Sequence, residues 1–174
     1  GVFLDDWFEA LFASPHAVAL LLLVTGVILY VSDRLARGSR LLGDVSLVDA
    51  LLIGLAQGVA IAPGISRSGA TISTGLLRGL DRDSAARFSF LMGIPIVAGA
   101  AAFSLLGVVQ AGAIATEWYT LAAGFLAAAG SGYLGIRYLL RYLRSHTLRP
   151  FAYYCWAAGL LGLLLYAART GMGG

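Results

Sequence analysis

Apolar residues along this chain gather into long runs separated by short polar stretches, rather than recurring as the one-sided stripes of soluble helices. Three runs, at about 88–109, 118–140 and 151–168, can cross a hydrocarbon core of about 30 Å, which takes about 20 helical residues. A fourth, at about 16–32, lies near the lower limit and is also read as a span. Each run is bounded by polar or charged residues, and no low-complexity segment or soluble-domain linker interrupts the series. The pattern predicts an all-α polytopic membrane bundle, a single transmembrane domain covering 1–174.

The stretch 47–80 breaks the pattern. Residues 47–62 are mostly apolar but include Asp49 and Gln57, and as a helix would be only about 24 Å long. Pro63 and Gly64 then interrupt it, because the residue before a proline is pushed out of helical geometry. Residues 72–80 add only about 14 Å of further helix. Neither half crosses a bilayer comfortably, so the two are expected to form a re-entrant helical hairpin at about 47–80 with its irregular turn inside the membrane.

Arginine placement tests that expectation, since loop Lys/Arg sets orientation. Arg34, Arg37 and Arg40 precede the hairpin, Arg78, Arg82 and Arg87 follow it, and Arg141, Arg144 and Arg149 separate the last two spans. The segment with Asp5, Asp6 and Glu9 and the link before Glu117 contain none. A re-entrant hairpin puts all three arginine-rich loops on the cytoplasmic side, with both termini outside; a full crossing by 47–62 would split them.

Composition agrees with the pattern. The 174 residues are 59% hydrophobic and 12% charged, where a soluble domain carries roughly twice that charge. All 12 basic residues are arginine, and Cys155 has no partner for an intrachain disulfide. Gly124, Ala128 and Gly132 share one helix face, and Ala158 and Gly162 repeat the spacing, both suited to close helix packing. Pro95 with Gly93 is expected to kink its span. Trp118 and Tyr119, and Tyr153 and Trp156, suit interfacial belts. The chain begins at Gly1 and is read as a piece of a longer protein.

Candidate chemistry concentrates at 57–71, Gln-Gly-Val-Ala-Ile-Ala-Pro-Gly-Ile-Ser-Arg-Ser-Gly-Ala-Thr. Gly64 and Gly69 allow a tight turn and close approach to a ligand. A second half-helix starting near Ser68 would aim its unpaired N–H groups at an anion. Arg67 adds a permanent charge with a planar fork of donors matched to phosphate oxygens, and Ser66, Ser68 and Thr71 add hydroxyls. A charge at membrane depth is costly and usually marks a substrate path. The plainer reading has these hydroxyls capping a helix beside an interfacial Arg67.

The run Pro-Gly-Ile-Ser-Arg-Ser-Gly-Ala-Thr at 63–71 resembles the PGxSRSxxT signature of the undecaprenyl-diphosphate phosphatase, or bacitracin-resistance, family. Its flanks agree, from Asp49 to Gln57 before and from Ala86 to Pro95 after, and the resemblance runs through most of the chain. It implies an inverted-repeat helical fold and a bacterial inner-membrane hydrolase acting on a polyprenyl diphosphate, its site facing the extracytoplasmic side. Arg67 and Ser66 would then be catalytic, and Gly64, Ser68, Thr71 and Gln57 substrate-binding. A divalent cation, magnesium or calcium, is implied by the resemblance alone. The family's Glu-x-x-x-Glu pair and Ser-Thr-Gly-His run are absent. No metal ligands are therefore expected in this chain, which corresponds to about two-thirds of a family member and is expected to be inactive by itself.

Asp81 and Asp83 read as helix caps, and His16 and His146 as solvated side chains. Gln57 could bind the diphosphate or tie two hairpins together, the second being preferred. A polyprenyl-phosphate flippase is the alternative function, because broken helices in inverted repeats also build transporters. Membrane lipids are expected neighbours, nucleic acid is not an expected partner, and the small-residue faces allow a homodimer or pairing with another chain.

Overall fold

The computed structural model describes residues 14–110, 112 and 114–171, which form six α-helices and no strand. In order these are α1 (Pro15–Leu35), α2 (Leu47–Val59), α3 (Arg67–Leu77), α4 (Arg82–Gln110), α5 (Ile114–Leu143) and α6 (Arg149–Gly171), with a 3-10 turn at Leu42–Asp44 leading into α2. The acidic stretch of Asp5, Asp6 and Glu9 and the side chain of Glu117 lie outside the described residues. Four helices, α1, α4, α5 and α6, are long and apolar enough to cross a membrane. They coincide with the four expected spans, and the molecule is an all-α polytopic membrane bundle.

The remaining two helices are short. With 13 and 11 residues, α2 and α3 measure only about 20 and 17 Å. Ser46 caps α2 by accepting the Asp49 N–H, and the Asp49 carboxylate returns a bond to the Ser46 N–H, the reciprocal pattern of a capping box. The α2 helix ends at Val59, earlier than proline alone requires, because Ile61 and Ala62 donate to Gly58 and Val59 in tighter turns. On the far side of the turn, α3 starts at Arg67 and stops at Leu77, and Leu80 instead forms a backbone bridge with Arg40.

Asp49 closes the base of this pair of helices. Its fully buried carboxylate lies 2.7 Å from Arg40 Nη2 and 2.7 Å from Arg78 Nε, joining the start of α2 to the residue that follows α3. Arg40 also donates to the Arg78 carbonyl at 2.8 Å. Its backbone N–H donates to Gly79, and its carbonyl accepts from Asp81. The two short helices therefore begin and end at one place and fold back on each other.

A second buried carboxylate joins the long helices at the same end. Asp33 of α1 lies 2.8 Å from Arg82 Nε and 3.4 Å from Arg149 Nε, and accepts the Leu148 N–H at 3.1 Å. Asp81 caps α4 through the Ser84 N–H, as expected. Asp83 departs from the capping expectation: sitting inside the first turn of α4, it pairs with Arg87 and with Arg144 of the 144–148 link. These pairs gather all three arginine-rich loops at one end of the bundle, over a core that includes Leu76, Leu80, Ala85, Leu143 and Ala152.

Helices α1 and α6 pack most extensively. A side chain at Gly26 would meet Trp156 and one at Gly159 would meet Leu23, so small residues set this contact. Gly162 lies against Ala19, as its spacing suggested. Trp156 also joins α6 to α1: its indole donates to the Leu23 carbonyl at 3.2 Å and packs against Tyr30. The stripe of Gly124, Ala128 and Gly132 is exposed, and no described helix covers it. Pro95 sits within a continuous α4.

The bonds to Asp49 from Arg40, Ser46 and Arg78 hold its carboxyl far below the ordinary carboxylate range. A carboxyl whose pKa drops on folding stabilises fully above its unfolded value of about 4 and loses that effect as pH falls below it. Thermal melting of the detergent-solubilised protein is expected to show a lower midpoint for Asp49→Asn at pH 7. Below about pH 4 the parent should lose stability more steeply than the variant.

Candidate functional site

The turn between α2 and α3 rests on α1. Thr25, buried in the middle of that helix, donates its hydroxyl to the Gly64 carbonyl at 3.0 Å and accepts the Ser66 N–H at 3.3 Å. Gly64 has φ +93°, a region that side chains rarely enter. A Cβ there would collide with the Val18 carbonyl oxygen and come within 2.9 Å of Leu21 Cβ. The close approach that Gly64 permits is therefore to a neighbouring helix. By residue count along α1, the turn sits roughly 15–25 Å from the arginine end.

Ser66 is the N-cap of α3, its Oγ accepting the Gly69 N–H at 3.1 Å, and it lies 3.4 Å from Ser68 Oγ. The capping reading of Ser66 is thus real, and it leaves the hydroxyl proton free to donate elsewhere. The first-turn N–H groups of Arg67 and Ser68 have no acceptor within the helix. Arg67 is exposed, and its guanidinium lies against Gly93 of α4, where an added Cβ would come within 3.1 Å of Nη2. The Arg67 guanidinium makes no hydrogen bond or ion pair among the described residues.

The other sequence candidates lie deeper. Thr71 is 1% exposed, with its hydroxyl 2.6 Å from Ser89 Oγ of α4 and also bonded to the Arg67 carbonyl at 2.9 Å. It fixes the first turn of α3 to α4. Gln57 has its Oε1 buried without a hydrogen-bond partner among the described residues. Ser66, Ser68 and Gly69 line an apolar cavity of about 340 Å³ whose other walls include Leu22, Phe151 and Tyr154. Arg67 does not line it but points to the α4 side of the same helix end.

Among the described residues, no carboxylate or imidazole makes a contact with this turn. Asp33, Asp49, Asp81 and Asp83 belong to the arginine end and are held in the bonds described above. His16 and His146 are exposed, the first tilted against Tyr166 and the second stacked on Tyr142. Among the described residues no group of three His, Cys, Asp or Glu side chains could hold a metal ion.

The family model described as Bacitracin resistance protein BacA matches residues 1–161. The chain belongs to the BacA family. Among its relatives, a protein named Undecaprenyl-diphosphatase from Halothermothrix orenii is 44% identical over 165 residues, covering 95% of this chain and 64% of that protein. One of the same name from Methanothermobacter thermautotrophicus is 47% identical, covering 92% of this chain and 90% of that protein. A third, from Carboxydothermus hydrogenoformans, is 41% identical, covering 97% and 65% respectively. The chain thus spans about two-thirds of the length of two of these BacA-family relatives and most of the other.

As a phosphatase family, BacA makes a divalent cation plausible, but the described side chains do not fit as its ligand set, since every described carboxylate near another already serves an arginine or a cap. Three residues that build the turn escaped the sequence reading. Thr25 had a signal, a hydroxyl inside an apolar run, while Ser89 and Gly93 lay within the motif's downstream flank without any sign that they meet the turn.

Gly64→Ala is expected to destabilise the protein by about 1–3 kcal/mol through strain at positive φ and collision with α1, measured as a lower unfolding midpoint. Thr25→Val should also lower the midpoint, and Thr25→Ser should restore most of it, because serine keeps the hydroxyl that both turn bonds use.

Proposed function

We propose that this chain carries the phosphate-binding turn of a membrane hydrolase that removes the terminal phosphate of undecaprenyl diphosphate, yielding undecaprenyl phosphate for reuse as a cell-wall lipid carrier. The observation that carries the reading is Arg67, a guanidinium without a described counter-ion at the N-terminus of α3, in a chain where Arg40, Arg78, Arg82 and Arg149 all have one. The names of the relatives support the hydrolase and lend nothing to the transport alternative.

In this reaction water attacks the terminal phosphorus, the bridging P–O bond breaks, and inorganic phosphate leaves the lipid monophosphate. Negative charge on the equatorial oxygens is what the protein must stabilise. Arg67 and the first-turn N–H groups of α3 are fixed donors suited to that task, and fixed donors need no reorganisation as the charge develops. Ser66 and Ser68 donate hydrogen bonds to the same diphosphate. Ser66 keeps its hydroxyl proton to donate while its oxygen caps α3.

Gly64 shapes the turn, Thr71 holds it to α4, and Gln57 offers a buried amide beneath it. The polyprenyl chain lies in the apolar cavity beside the two serines. A magnesium or calcium ion, as the family resemblance implies, would take its ligands from groups other than the described side chains.

The positive-inside rule assigns the arginine end to the cytoplasm of a bacterial inner membrane. The paired short helices then form a re-entrant hairpin entering from that side, and the turn receives its lipid from the extracytoplasmic side. The uncovered stripe of Gly124, Ala128 and Gly132 supplies a face for a second copy or for a preceding repeat.

The test is phosphate release from a polyprenyl diphosphate by the purified whole protein. Arg67→Ala should lower kcat by about 10²–10³-fold with an unchanged unfolding midpoint. An Arg67→Ala protein that melts like its parent and keeps full turnover sinks the assignment.

A further inference from the structure

Four arginines converge on a small hollow between α4 and α5, at the end of the bundle away from the Ser66 turn. Arg87 of α4 and Arg137, Arg141 and Arg144 of the α5 end line this cavity of about 220 Å³ together with Leu140. Spacings of four and three residues place the last three arginines on one helical face, stacked over about 10 Å of its axis.

The one carboxylate described among them is Asp83, 2.8 Å from Arg87 Nε and 3.4 Å from Arg144 Nε. Four guanidiniums thus share a single carboxylate. Elsewhere at this end the balance is closer, with two arginines on Asp49 and two on Asp33. Arg141 is exposed and makes no hydrogen bond or ion pair among the described residues. Arg137 is exposed and is described only against Tyr133, whose hydroxyl is 3.2 Å away and whose ring lies 5.9 Å below the guanidinium.

Orientation in the bilayer explains arginines at the end of a span, but Arg137 lies about 9 Å inside α5 from Leu143. A charge at that depth needs water or an anion. Within two turns of these arginines on the same helices, apolar side chains are exposed: Leu134 and Tyr138 of α5 are 64% and 69% exposed, and Leu91 and Ile94 of α4 are 53% and 61% exposed. An anion with hydrocarbon attached fits both surfaces, whereas a free ion would use only the arginines.

We propose that this hollow binds the phosphate of an anionic phospholipid from the leaflet at the arginine end, its acyl chains lying on the exposed face of α4 and α5. Guanidiniums suit a phosphate because their paired N–H groups match its oxygens. The site is separate from the Ser66–Thr71 turn and stands whether or not the hydrolase assignment does.

Native mass spectrometry of the detergent-solubilised protein, titrated with phosphatidylglycerol or with phosphatidylcholine of the same acyl chains, tests this. The parent should take up phosphatidylglycerol saturably and phosphatidylcholine no better than background. Removing two arginine charges, in R137Q/R141Q, should weaken phosphatidylglycerol binding about 30-fold, while R34Q/R37Q, which removes as many charges from the same end, leaves it close to the parent. Should R137Q/R141Q fail to fold, the single exposed R141Q is expected to weaken binding about 5-fold.

Equal weakening by both double variants means diffuse interfacial charge and overturns the site. Binding unchanged in R137Q/R141Q, or equal uptake of the two lipids, overturns it as well. Displacement of the lipid by millimolar inorganic phosphate assigns the hollow to free phosphate and overturns the lipid proposal.

Discussion

The buried Asp49 carboxylate is the contact on which the rest of the molecule depends. Helices α2 and α3 are each too short to cross a bilayer, so their placement rests on what holds their ends. A carboxylate with no solvent exposure, receiving two guanidiniums and the Ser46 bonds, gives both ends one anchor. Burying that charge is costly unless every lone pair is engaged, and here the surrounding donors engage them. With the base closed, the turn is displaced from the arginine end by the length of α2, and its position follows from helix geometry.

What the turn meets there is α1. Thr25 holds it through two bonds, and Gly64 lets backbone reach backbone where a methyl group would not fit. The same constraint leaves Arg67 at the head of α3 facing Gly93. The residues singled out in the sequence therefore carry structural duties. Ser66 caps a helix while keeping a proton to donate, and Thr71 gives its hydroxyl to packing so that its neighbours need not.

Charge divides the molecule. The described carboxylates cluster with most arginines at one end, in pairs that hold loops to helix starts. At the other end Arg67 is left without such a pair. Most described ion pairs thus hold loops to helix starts, while Arg67 and some arginines of the α4–α5 hollow carry no described counter-ion.

The sequence by itself determined the membrane class, the four spans and the break at Pro63, because hydrophobic run length and proline geometry act locally. It also isolated residues 57–71, since polar groups and glycines in an apolar chain need a local reason. It could not reveal that Asp49 closes the base, that Asp83 pairs with Arg144, that Trp156 serves the α1–α6 contact, or that the Gly64 turn leans on Val18 and Thr25. Those contacts join residues tens of positions apart, and only the packed structure chooses among the partners that composition allows. The turn at 63–71 was legible as a polar break in an apolar chain; the side of α3 on which each of its groups points was decided only when α1 and α4 closed around it.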